Sequence, residues 1–181
     1  MKLRKGLILA LLLLLAISTA GGSVWAYMIK RTQTEENKFT PAVVTCELHE
    51  VKNADTTEKS SIKVENTGNV DAYLRVRLVS YWVDSAGDIV SKPSQVPVFT
   101  LGPGWMAGSG NTYYYQMPVS PGDSTHELLG SVITLTSSAE GYRQVVEVFA
   151  EAIQAQPASA VTGSWGVTLN GSGYITSAPA P

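Results

Sequence analysis

Side chains able to carry chemistry are scarce in this chain. Cys46 is the only cysteine among 181 residues, so no internal disulfide holds the fold and a hydrophobic core must do so. There are two histidines, each opening a His-Glu pair, His49-Glu50 and His126-Glu127. A helical zinc-peptidase motif needs a second histidine four residues on, and those positions hold Asn53 and Gly130. Charge is sparse at 15% and unevenly placed: Lys2, Arg4 and Lys5 precede every acidic residue. From residue 27 onward ten basic groups face fifteen acidic ones, a net of −5. That domain has no basic excess for gathering phosphates, which excludes nucleic-acid binding as a reading.

What is present begins with an export signal. The three basic residues lead into an unbroken apolar run, Leu7 to Ile17, followed by small residues Ser18 to Ser23. Two sites satisfy the small-x-small cleavage rule, after Ala20 and after Ala26. Cleavage between Ala26 and Tyr27 is favoured. A retained anchor is the competing reading, because no charge interrupts Leu7 to Ile29, but the Gly, Ser and Thr of its second half suit a peptidase better than a span. The membrane is then a partner only through the uncleaved signal, and a signal peptidase is a partner during export. The organisation expected is residues 1–26 as signal, 27–41 as a polar tether or strand-donating segment, 42–166 as the folded domain, and 167–181 as a loosely held tail.

From Ala42 the pattern has period two. Val44, Cys46 and Leu48 alternate with Thr45 and Glu47, so Cys46 reads as a buried strand cysteine and not as a lipid anchor. The stretch KVENTGNVDAYLRVRL, residues 63–78, reads strand, turn, strand. Its turn, Asn66-Thr67-Gly68-Asn69, holds residue types that tolerate left-handed backbone angles. After it Ala72, Leu74, Val76 and Leu78 oppose Tyr73, Arg75 and Arg77, which predicts an antiparallel sheet with one wet face. A hairpin loop at residues 84–88, strands at 96–101, 111–117 and 128–136, and a turn at Pro121-Gly122-Asp123 complete an all-β pattern. RQVVEVFAEAIQA, residues 143–155, fits a strand and a helix equally well; Pro157 to Trp165 predicts a short C-terminal helix with proline in its first turn.

No catalytic, metal or cofactor site follows from these residues. Asp123, Ser124 and His126 hold the letters of a triad inside one turn, where nucleophile, base and orienter cannot converge from separate elements. Asn66, Asn69 and Asp71 hold one carboxylate among them, which suits capping of a turn better than calcium. Tyr113, Tyr114 and Tyr115 cannot all be buried on one face of a strand, which makes them a candidate aromatic surface for sugars or another protein.

Together these landmarks resemble the TasA/camelysin group of exported Gram-positive proteins. The resemblance rests on the signal, Asn37-Lys38-Phe39-Thr40-Pro41, VENTGNVDAYLRVRL, Trp105 with Tyr113 to Tyr115, Pro121-Gly122-Asp123-Ser124, and FAEAIQA with Ala160-Val161 and Trp165-Gly166. It implies an antiparallel β-sandwich of jelly-roll type, release by a SipW-type peptidase, and a place in the extracellular matrix or biofilm. It implies fibres built by donating an N-terminal strand, here Tyr27 to Pro41 with Tyr27, Ile29 and Phe39 as its apolar anchors. The partner is then a second copy or a related matrix protein. It also tips residues 143–155 towards strand. The metallopeptidase activity attributed to camelysin-like members has no ligand set here. A monomeric carbohydrate- or protein-binding module at the cell surface is the alternative.

Overall fold

The computed structural model describes residues 41–52, 57–138 and 140–180. Within them ten strands and one helix follow in order: β1 Cys46–Lys52, β2 Glu58–Asn66, β3 Ala72–Val83, β4 Ile89–Val90, β5 Trp105–Ala107, β6 Thr112–Tyr115, β7 Ile133–Thr134, β8 Arg143–Gln154, α1 Ala158–Trp165, β9 Thr168–Leu169 and β10 Ile175–Ser177. All strand pairings are antiparallel. One sheet has the order β1-β2-β7; the larger has β4-β3-β6-β5, with β8 lying along β3; β9 and β10 pair by themselves.

The main core lies between the two larger sheets. β2 contributes Ile62 and Val64, β3 contributes Leu74, Val76 and Leu78, and Val146, Trp105, Tyr115 and Leu128 close it. Alternation alone places those β3 residues, each at most 1% exposed, on one face. β8 is a strand over its full length, in register with β3 from Ala72↔Gln154 to Val83↔Arg143. The ambiguous apolar spacing at 143–155 is thereby resolved by pairing, which periodicity could not supply.

The NTGN corner is held by side chains more than by turn geometry. Asn66 is fully buried; its Nδ2 donates to Val70 O and Val119 O, both at 2.8 Å, and its Oδ1 accepts Gly68 N at 3.0 Å. Asn69 faces the other way, accepting Val43 N at 2.7 Å and donating to Pro41 O at 3.0 Å. The expected left-handed glycine is not found: the left-handed glycines lie elsewhere, at Gly87 and Gly122 for example. Gly68 is glycine because a Cβ there would sit 2.3 Å from the Val43 carbonyl oxygen. Gly68→Ala should therefore cost about 1–3 kcal/mol of stability, read as a shift in urea midpoint, by forcing β1 away from the corner.

Several expectations are corrected. The segment 96–101 is not a strand; Pro97 cannot donate to a ladder, and only Leu101 bridges, to Leu129. Of residues 128–136 only Ile133–Thr134 forms a strand, because Gly130 N and Ser131 Oγ turn aside to bond Thr100. The outer face of β3 is wet only in part: Tyr73 is buried, whereas Arg77 is exposed. Residues 167–180 pack on the domain in place of the loose tail expected for 167–181. They belong to the same compact unit as the rest of the described chain, and they form β9 and β10. Ile175 is 0% exposed and joins Tyr73, Tyr114, Val161, Trp165 and Val167 in a second core on the outer side of the large sheet. The few apolar residues of this tail decide where it lies.

Candidate functional site

The aromatic surface expected at Tyr113, Tyr114 and Tyr115 is absent. Alternation does send them to opposite faces, but both faces of β6 are covered. Tyr113 packs on Phe99 with ring centroids 5.3 Å apart, and Tyr115 meets Trp105 edge-on at the same separation. Tyr114 points into the second core, edge-on to Trp165 at 5.8 Å. Arg75 lies 4.6 Å above the Trp165 ring and bonds Glu151 at 2.6 Å, roofing that cluster. Burial raises the phenol pKa of Tyr113 and Tyr115, as it does for Tyr73, whose hydroxyl donates to Gly173 O at 2.5 Å.

The residues screened for chemistry are likewise occupied structurally. The His126 ring meets the Tyr115 hydroxyl at 2.6 Å and its carbonyl accepts the Trp105 indole, while Asp123 O accepts Asn66 N. His49 pairs with Glu65 at 2.9 Å across β1 and β2. The oxygens of Asn66 and Asn69 are taken by backbone N–H groups, which is the capping role. Among the described residues no three His, Cys, Asp or Glu side chains are grouped to hold a metal.

Among the described residues a sheet edge is left without a partner. Ala155 N donates to Asp71 O, one step past the β3–β8 ladder, so the odd-numbered residues of β8 bond β3. The even-numbered residues aim their N–H and C=O groups the other way. Gln144 N does so and finds Thr136 O at 2.9 Å. Beyond it Val146, Val148, Ala150, Ala152 and Gln154 have no backbone partner on that side among the described residues.

β1 repeats the arrangement. Thr67 N bonds Thr45 O and Asn69 N bonds Val43 O, so odd-numbered residues face β2, and the outward groups of Cys46, Leu48 and Glu50 have no backbone partner among the described residues. β1 and β8 approach within 8 Å between Cα atoms without pairing. Their inward side chains, Cys46, Leu48, Val148, Ala150 and Ala152, pack on the main core yet stay partly exposed. The ladder partners of the last three on β3, Leu78, Val76 and Leu74, are sealed. Among the described residues the core is thus incompletely covered along this side. Burial raises the Cys46 thiol pKa, with the Glu151 carboxylate adding to it.

Such an edge can form hydrogen bonds with an added strand and bury apolar surface in the same step. The sequence signal for it was indirect: alanines at 150 and 152, where a sealed strand would carry larger residues. The donor residues Tyr27, Ile29 and Phe39, and the Ala26–Tyr27 cleavage site, lie outside the described residues. No helix among the described residues is long and apolar enough to cross a membrane. Comparison with known families, characterised proteins and solved structures gives no match.

Proposed function

We propose that this chain is an exported structural subunit of extracellular fibres, assembling when residues 27–41 of one copy add as a strand to the β1/β8 edge of the next. The observation that carries the reading is strand β8, which from Val146 to Gln154 is paired on one side only among the described residues, above core side chains left partly exposed along the same side. Residues 27–41 span about 50 Å when extended, against about 30 Å for the free edge from Val146 to Gln154, so the segment is long enough to cover the edge. In this reading the sandwich is of jelly-roll type and belongs with the TasA/camelysin group, and its place is the matrix or cell surface after release from the signal. No catalytic role is assigned to it.

The test is negative-stain microscopy of purified Tyr27–Pro181 beside a chain starting at Ala42, each at rising concentration. Filaments from the longer chain alone are expected. Filaments from both chains, or from neither, overturn the proposal.

A further inference from the structure

The second core covers the outer face of the large sheet beside Tyr73, Tyr114 and Ile153. Beyond the Arg75–Glu151 pair, four outward side chains of β3 and β8 stand at the corners of a near-square. Arg77 lies opposite Phe149, and Val79 lies opposite Glu147. Such positions are about 5.5 Å apart across the strands and about 7 Å apart along them. Phe149 and Val79 therefore occupy one diagonal, and Arg77 and Glu147 occupy the other. Phe149 is 50% exposed and Val79 is partly so. Arg77 and Glu147 are both exposed, and neither has an ion-pair partner among the described residues. The Glu147 carboxylate accepts the Tyr81 hydroxyl at 3.0 Å and keeps acceptor capacity for a cation.

A square with opposite charges at the ends of one diagonal is complementary to itself. A twofold axis along the Phe149–Val79 diagonal, lying between two copies, sets each apolar side chain against its own counterpart. The same rotation brings Arg77 of each copy over Glu147 of the other. That diagonal runs about 40° from the strands, so the strands of the two sheets cross at about 80°, close to the orthogonal way in which sheets stack. We infer that the outer face of β3 and β8 docks a second copy of this chain, face to face, through two reciprocal Arg77–Glu147 pairs around a Phe149 contact. The face is far smaller than the roughly 20–30 residues a side of a standard interface, so two single copies associate weakly. It uses neither the β1/β8 edge nor residues 27–41, and so does not rest on strand donation. In a fibre the face recurs in every subunit, and its weak contacts act together to join two fibres side by side.

The experiment uses the chain starting at Ala42, which has no donor segment; the unit Pro41–Pro181 is compact by itself and holds both cores. Sedimentation equilibrium should show a reversible dimer with a Kd of about 0.1 mM. Arg77→Glu and Glu147→Arg should each weaken it by about tenfold or more, since either change sets like charges together at two symmetric points. Mixed in equal amounts, the two variants should recover the parental association as a heterodimer, in which both pairs are again of opposite sign. A parent that stays monomeric at about 1 mM overturns the inference. So do single variants that dimerise like the parent, or a mixture that associates no better than its components. Phe149→Ala leaves both charges in place and should also weaken the dimer by about tenfold. An unchanged dimer from it overturns the inference whatever the charge variants do. Dimers and filaments are read separately: filaments without dimers leave strand donation standing alone, and dimers without filaments leave this face standing alone.

Discussion

Ala150→Pro should leave the monomer folded and abolish fibres, whereas Phe149→Pro, one residue earlier, should destabilise the monomer. The difference is hydrogen-bond parity. Phe149 lies opposite Arg77 among the odd-numbered residues whose amides bond β3, so proline there removes a ladder bond in the middle of the sheet. The cost is about 3 kcal/mol. Phe149 is half exposed on the outer face, so loss of its ring adds little. The Ala150 amide points away from β3 and has no partner among the described residues, and proline is accepted on an edge strand in that position. An added strand, however, loses a donor at the centre of its ladder and meets the pyrrolidine ring. Thermal melts of both variants and sedimentation of Ala150→Pro decide the matter. Normal fibres from Ala150→Pro would mean that β8 is not the accepting edge.

Asn66→Ala should be the most damaging single change in the NTGN corner, lowering stability by about 3–5 kcal/mol. The side chain is 0% exposed, and its removal takes a partner from Val70 O, Val119 O and Gly68 N at once, with Val119 O keeping only the Ala72 N–H. Those groups tie β2 and β3 to the returning segment, whose backbone also bonds Asn66 through Asp123 O and Gly122 N. For a domain of this size the melting point should fall by about 10 °C. Asn69→Ala removes bonds only to Pro41 and Val43 at the exposed start of the described chain and should cost much less. A loss below about 1 kcal/mol for Asn66→Ala would show that backbone bonds alone hold the corner. The sharply patterned stretch at 63–78 is therefore a keystone: it fixes the direction of two strands, the return at 119–123 and the point where β1 begins.

Much of the fold was legible because the relevant forces are local. Period two gave the faces of β1 and β3, the Asp84–Asp88 loop gave a hairpin, and Pro157 opens the short helix α1. The screening of the histidines and of the asparagines at the corner rested on spacing, and their observed partners are structural. The errors have two sources. At 96–101 and 128–136 an apolar run was read as a strand where the backbone bonds elsewhere. At Tyr113 to Tyr115 and at Tyr73, alternation correctly said which side a residue points to, and was then read as saying whether that side is wet.

By itself the sequence determined which residues share a face in the strongly alternating strands β1 and β3 and where the chain turns between β2 and β3, since steric preference and side-chain period act within a few residues. Only the tertiary structure decided which faces and edges are covered. Ile175 seals Tyr73 from about a hundred positions away, and nothing local to Tyr73 encodes that. The open side along β8 is equally non-local, because an edge is free only when no other segment of the fold arrives to pair with it.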